Sequence, residues 1–321
     1  MALYLALDFG GTKLAAGLVD ASAGKVLARV RRPSPGSARE SIRVMLEMAH
    51  EALGATGEQL ASVRAVGIAF GGPVDETRQI VRLSHHVPGW ENLPLVAEVA
   101  AALGRPVAMD NDANAQGLGE WRYGAGRGKT DMLFVNVGTG IGGGVIIGGK
   151  LHRGRHGLAG EVGHTVVKPD GPVCTCGKHG CVEIMAAGPG IARQAREALA
   201  SSSLPSRLCD LCGGDLSRVT AETVFRAAGE GDALALGVLD SACLYLGIGI
   251  ANAAAIVDPQ LIVIDGGVTK AGDLFFGPLR RAARANAAPL DPEMAPIVAG
   301  ELGDDSNILG AAAVAEAEFG G

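Results

Sequence analysis

Leu3-Tyr4-Leu5-Ala6-Leu7-Asp8-Phe9-Gly10-Gly11-Thr12-Lys13-Leu14-Ala15-Ala16-Gly17-Leu18-Val19 opens on an unbroken apolar run, breaks at a polar glycine turn and resumes as a second apolar run. The pattern reads as strand, tight turn, strand. It returns at Met132 to Val137, Gly138-Thr139-Gly140-Ile141-Gly142-Gly143-Gly144, and Val145 to Ile147, and setting Asp8 against Gly138 aligns the two hairpins. Such a weak internal repeat points to two halves of similar build facing one another. Glycine-rich turns expose successive backbone N–H groups that can cradle a phosphate, and Thr12, Lys13 and Thr139 add donors. Asp8, at the end of the first strand, suits Mg²⁺ held through water. Neither turn has the spacing of a P-loop or of a dinucleotide fingerprint opening a helix.

A third turn follows the buried strand Leu261-Ile262-Val263-Ile264, where Asp265-Gly266-Gly267-Val268 lets the backbone lie flat against a planar base. Between the hairpins, Pro106-Val107-Ala108-Met109-Asp110-Asn111-Asp112-Ala113-Asn114-Ala115 runs from strand into an alanine-rich helix, Ala113 to Trp121. Asn111 and Asp112 therefore fall at a strand-to-helix junction, where Asn and Asp are favoured as N-caps. A carboxylate there can also accept a hydroxyl proton while the oxygen attacks a γ-phosphate.

Glu161-Val162-Gly163-His164, Cys174-Thr175-Cys176 and Cys181-Val182-Glu183 supply three thiols and an imidazole, the ligand set of a closed tetrahedral zinc site. His179 lies inside the same loop, so spacing leaves His164 and His179 both open as the fourth ligand. Glu161 and Glu183 bracket the loop, so a structural ion could hold them where a polar substrate sits. Six cysteines in 321 residues do not make a disulfide scaffold. The Cys209-Asp210-Leu211-Cys212 pair, in an excursion over 201–218, has no partner pair nearby and reads as part of a surface loop. Cys243 reads as core.

The length fits two domains. Net charge is −6 with no dense basic patch, which argues against nucleic acid as a partner. Glycine, at 49 residues, is about twice its usual ~7% share and clusters at the ends of apolar runs. Ala242 to Val257 is the longest apolar stretch; broken by Asn252 and shorter than the ~18–20 residues of a spanning helix, it reads as a core helix of a soluble, cytoplasmic protein with no membrane partner. Met1 to Leu7 is too short for a signal peptide.

In order and spacing these motifs, together with Gly71-Gly72-Pro73-Val74-Asp75 and Cys174-Thr175-Cys176-Gly177-Lys178-His179-Gly180-Cys181-Val182-Glu183, resemble the ROK family (repressors, open reading frames and kinases) over nearly the whole chain. The resemblance implies a two-domain α/β fold of the actin-like ATPase (ribonuclease H-like) type, with an interdomain cleft that closes over substrate. The implied domains are 1–114 plus 301–321 and 115–300, the latter carrying the zinc loop, with a last helix from about Asn307 to Phe319 returning to the first domain.

The implied activity is ATP-dependent phosphorylation of a hexose, glucose first, with an N-acetylated hexosamine, fructose, mannose or allose as alternatives and polyphosphate as the donor of some relatives. Asp112 would be the general base; Gly72, Asn111, Asp112, Glu161, His164 and Glu183 would hold the sugar. ATP and Mg²⁺ would engage Asp8, Gly10, Gly11, Thr12, Lys13, Gly138, Thr139, Gly140, Gly266 and Gly267. The family's zinc ligands map to His164, Cys174, Cys176 and Cys181, which decides against His179. Ser84 to Trp90 lies where a specificity loop or an aromatic-anchored turn would fall. Relatives are commonly dimers or tetramers. Sugar-sensing repressors of the family carry a helix-turn-helix ahead of the first turn, for which the seven residues before Asp8 leave no room.

Overall fold

A computed structural model describes every residue except Glu76, His85, His86, Ser203, Leu204, 288–294 and Gly321. Along the chain lie β1 (Leu3–Phe9), β2 (Lys13–Asp20), β3 (Lys25–Pro33), α1 (Ala38–Thr56), β4 (Val63–Phe70), β5 (Val74–Asp75), β6 (Ile80–Val81), α2 (Leu95–Leu103), β7 (Val107–Asn111) and α3 (Asp112–Tyr123). There follow β8 (Met132–Val137), β9 (Ile141–Ile147), β10 (Lys150–Leu151), α4 (Val182–Ala186), α5 (Gly188–Ser201), α6 (Arg207–Cys212), α7 (Ala221–Gly229), α8 (Ala233–Val257), β11 (Leu261–Asp265), α9 (Asp273–Ala285), β12 (Ile297–Ala299) and α10 (Ser306–Phe319). They form two compact units: Met1–Thr130 with Gly144–Ala159 and Gly300–Gly321, and Asp131–Gly143 with Gly160–Ala299. The boundary expected after Asn114 falls inside α3, because the packing of that helix on α10 keeps it whole within the first unit.

In the first unit the sheet order is β3-β2-β1-β4-β7, with β1 antiparallel to β2 and parallel to β4. Strand alternation sorts its two faces. Leu5, Leu7 and Phe9 of β1, Leu14, Ala16 and Leu18 of β2, and Val66, Ile68 and Phe70 of β4 join Ile42, Met45 and Met48 of α1 in one core. Trp90 closes the end of that core, its ring 4.9 Å from Phe70 and 5.6 Å from Phe9; of the segment Ser84 to Trp90, His85 and His86 lie outside the described residues.

On the opposite face Ala6, Ala65, Gly67 and Ala69 present almost no side chain, and α10 lies directly on them. A Cβ at Gly67 would collide with the carbonyl oxygen of Ala311, and one at Gly310 would collide with the backbone of Ala115 in α3. So α10 touches backbone on both sides. Asp8 has the same strand parity as Ala6 and meets Asn307, near the start of α10.

A second sheet has the order β10-β9-β8-β11-β12, with β8, β11 and β12 parallel. The second turn is shorter than its sequence reading. Only Gly138-Thr139-Gly140 turns, whereas Ile141 to Gly144 already belong to β9, where a Cβ at Gly143 would lie 2.9 Å from Phe134 O on β8.

The long apolar helix α8 begins earlier than expected, because Asp232 caps it by accepting the Ala235 N–H at 2.8 Å. Its 25 residues are long and apolar enough to cross a membrane, yet half of its most apolar window is buried, against α4, α5, α7 and α9. Cys243 is buried there as expected. The Cys209/Cys212 pair is not in a loop: Ser206 caps the short helix α6, leaving Cys209 exposed and Cys212 buried.

Gly67→Ala should destabilise the first unit by about 1–3 kcal/mol through overpacking. Gly54→Ala, in α1 with nothing within 4 Å of the added methyl, should be neutral or stabilising by up to about 1 kcal/mol. Chemical denaturation of both variants checks the contrast; equal effects would contradict the close α10 contact.

Candidate active site

In the first unit the β1–β2 turn is held shut by the Gly10 N–H donating to Lys13 O at 3.1 Å, and Gly71 packs against it with its N–H donating to Phe9 O at 2.9 Å. Among the described residues the N–H groups of Gly11 and Thr12 meet no protein acceptor, and Thr12 and Lys13 are exposed. The turn is thus open to an anion. Gly72 follows, where a Cβ would lie 3.0 Å from Leu83 O and 3.1 Å from the Phe70 ring.

Asp8 is 8% exposed; its Oδ2 accepts Asn307 Nδ2 at 2.8 Å, and its Oδ1 is buried with no partner. Gln116 in turn donates to Asn307 Oδ1, which orients that carboxamide. Burial pushes the Asp8 carboxyl up from 3.8 to about 7; the Asn307 hydrogen bond opposes this, and the nearby Asp112 charge adds to it. An orphaned buried carboxylate oxygen beside an open phosphate-type turn fits a hydrated divalent cation.

The junction is built as its residues require. Asn111 is the N-cap of α3, its Oδ1 accepting the Asn114 N–H at 2.7 Å. Asp112, the first residue of the helix, accepts the Ala113 N–H at 2.9 Å and is half-buried. Behind them Asp110, fully buried, accepts the Asn111 N–H and Asn114 Nδ2, each at 2.8 Å, and Arg153 Nε at 2.6 Å.

In the second unit His164, Cys174, Cys176 and Cys181 bring their ligand atoms within 4.8 Å of one another. Two edges of the cluster are 3.6 Å (Cys176 Sγ to Cys181 Sγ) and 3.7 Å (Cys174 Sγ to His164 Nδ1). A zinc tetrahedron with about 2.3 Å sulfur and about 2.0–2.1 Å nitrogen bonds has edges of roughly 3.6–3.8 Å, so the donor set fits that ion. His179 points elsewhere, its Nδ1 2.9 Å from Gly171 O. His164 turns Nδ1 into the cluster and leaves Nε2 for another partner.

The loop is tied to the second turn. Glu183, in the first turn of α4, accepts the Ile141 N–H on Oε2 at 3.0 Å and Thr175 Oγ1 on Oε1 at 3.3 Å. Gly163 has no room for a side chain, because a Cβ there would collide with Ile141 O. The N–H groups of Thr139 and Gly140 meet no acceptor among the described residues, while Gly138 O accepts the Gly188 N–H at 2.9 Å. Gly266, at φ 102°, lies where a Cβ would stand 2.7 Å from Asn136 Oδ1, and Gly267 faces open space. Glu161 is exposed.

Each candidate residue thus sits with others of its own unit: Asp8, Gly10 to Lys13, Gly72, Asn111 and Asp112 in the first; Gly138 to Gly140, Glu161, His164, Glu183, Gly266, Gly267 and the cysteines in the second. Asn307, Gln116, Asp110, Arg153 and Thr175 had no role in the sequence reading. Each acts through a contact distant in sequence or through the side chain of a residue whose type is common in loops and caps.

Two α/β units, one with a carboxylate at a strand-to-helix junction and each with an open glycine turn, define the actin-like fold. The chain belongs to the ROK family, whose pattern matches residues 4–318. It is 38% identical to a glucokinase of Thermotoga maritima over 99% of this chain and 98% of that one, and 35% identical to an N-acetylmannosamine kinase of Escherichia coli over 98% of each. Among solved structures it is similar to a ROK family glucokinase from Streptomyces griseus in complex with glucose and AMPPNP, at a TM-score of 0.84 and 35% identity over 98% of this chain and all of that one.

Purified protein should carry about one zinc per chain. Cys176→Ser should lose the metal and lower the melting temperature, and His179→Ala should keep both, as read by metal analysis and calorimetry.

Asp8 supplies a second prediction. The folded state binds its proton more tightly than the unfolded chain, so Asp8 costs stability increasingly as pH rises from about 4 to about 7. In metal-free buffer Asp8→Asn should therefore stabilise the protein by on the order of 2–4 kcal/mol at pH 8 and by well under about 1 kcal/mol at pH 4. A pH-independent effect in thermal melts would contradict the buried charge.

Proposed function

We propose that this protein is an ATP-dependent hexose kinase that converts glucose to glucose 6-phosphate. The observation that carries the reading is Asp112, set by its Asn111 cap at the head of α3, in the same unit as an open glycine turn and a buried Asp8. The identity with glucokinases over nearly the full chain supports glucose as the sugar.

Asn111 and Gly72 on one unit, and Glu161, His164 Nε2 and Glu183 on the other, are the groups offered to sugar hydroxyls. Asp112 accepts the proton of the attacking hydroxyl as its oxygen bonds to the γ-phosphorus and the bond to the bridging oxygen of ADP breaks. The N–H groups of Gly11, Thr12, Thr139 and Gly140, with Lys13, neutralise phosphate charge, and Gly266 and Gly267 bring flat backbone to the base. Asp8 would hold Mg²⁺ through water; when bound, the ion offsets charge building on the phosphate oxygens. His164, Cys174, Cys176 and Cys181 would hold a structural zinc, which with four protein ligands has no position for a reacting water.

The N-acetylmannosamine kinase relative supports an N-acetylated hexosamine as the second reading. Free cysteines throughout fit a reducing, cytoplasmic setting. Exposed Leu236, Leu244 and Ile256 on α8 support a homo-oligomer.

A panel of hexoses with ATP or polyphosphate as donor, followed by sugar-dependent ADP or phosphate release, tests the assignment. Turnover should be highest with glucose and ATP. Asp112→Ala should lower kcat by about 10²–10⁴-fold with glucose binding still detectable by calorimetry. No turnover with any sugar would leave a sugar-binding protein without catalysis.

A further inference from the structure

We propose that Arg153 and Asp110 form a positioning pair that aims Asp112 at the sugar hydroxyl, an inference that rests on the kinase reading above. Asp110 is fully buried, and its carboxylate is filled from two sides. Oδ1 accepts the Asn111 N–H and Asn114 Nδ2, each at 2.8 Å, which fixes the cap and the third residue of α3 on either side of Asp112. Oδ2 accepts Arg153 Nε at 2.6 Å. One carboxylate thus ties the C-terminal end of β7 and the first turn of α3 to a single guanidinium.

Arg153 is itself held. Its carbonyl accepts the Ala159 N–H at 3.1 Å, closing the loop that follows β10, and the preceding His152 N–H donates to Val145 O at 2.7 Å. The Arg153 side chain is 32% exposed and that of Asp110 1%, so the charge pair is anchored at its acidic end. Residues before Asp110 in β7 are Val107, Ala108 and Met109, all buried. A chain selected only for stability would do as well with an apolar residue next in line, since a buried ion pair replaced by packed apolar groups is often neutral or stabilising. What an apolar residue could not do is orient the Asn111 N–H and the Asn114 amide together. A misplacement of about 1 Å in a reacting group can cost about 10²-fold in rate.

Three variants test the pair. Asp110→Asn keeps the acceptor for Asn111 and Asn114 but sets an amide against Arg153; Arg153→Gln removes the charge; Arg153→Lys keeps the charge without the Nε–H, and stands in if Arg153→Gln does not fold. Zinc content and circular dichroism check each fold. Each should lower kcat by about 10–100-fold, with glucose affinity by calorimetry changed less than about threefold. The double variant Asp110→Asn with Arg153→Gln should be no slower than the worse single one.

The decisive arm places Arg153→Gln or Arg153→Lys on Asp112→Asn. Once the base is gone its aim no longer matters, so the second change should leave the residual kcat within about twofold. A merely structural role would lower it again by the full single-variant factor. Single variants with wild-type kcat, or losses that multiply on Asp112→Asn, overturn the pair while leaving the kinase reading intact. A wild type inert towards every sugar overturns both.

Discussion

The first unit depends on how closely α10 approaches its neighbours. Gly67 on β4 and Gly310 on α10 leave no room for a methyl on either side of the helix, and the contacts are backbone against backbone. Little apolar side-chain area is buried this way, so cohesion comes from dense dispersion contacts that fall off within fractions of an ångström. The arrangement is therefore intolerant of added volume, and it places things accurately. Asn307 is delivered to Asp8, Gln116 of α3 orients Asn307, and α3 is registered on α10 through Ala115. Two acidic groups of the unit, Asp8 on β1 and Asp112 on α3, are located relative to the same helix.

That accuracy is used to hold an unfavourable pair. Asp8 is buried, has one partnered oxygen and one orphan, and feels the charge of Asp112. Left to stability alone, the site would be occupied by a neutral residue. The cost is borne locally because the surrounding small-residue packing does not yield, and it is relieved when positive charge arrives. A cation held at Asp8 and a proton accepted at Asp112 would then be linked, since whatever neutralises one acid changes the field at the other.

Much of this was legible in the sequence because it is local. The apolar strand runs, the first glycine turn, the Asn111 cap and the spacing of the cysteine loop are all settled within about ten residues, and each reappears in place. What was not legible depends on partners far along the chain. Nothing near Asp110 announces Arg153, and Asn307 looks like the start of any alanine-rich helix. Gly142, Gly143 and Gly144 read as turn because glycine breaks a strand pattern, whereas Gly143 lets strand backbones meet. Cys209 and Cys212 looked like loop because their helix, α6, is shorter than the window in which a helical period shows.

In the second unit the same question falls on Glu183. Its two oxygens are divided between the turn, through the Ile141 N–H, and the metal loop, through Thr175. Gly163 adds a second seam, with the backbone between Glu161 and His164 lying on Ile141 O. The loop and the turn are therefore joined, and an ion tying Cys174, Cys176 and Cys181 to His164 would act on phosphate-type donors it never touches. Removing one thiol would loosen the loop first, then the carboxylate, then the Gly138-Thr139-Gly140 turn. A zinc held there would act on loop and turn alike by stiffness, and its loss should weaken nucleotide binding together with sugar binding rather than sugar binding alone.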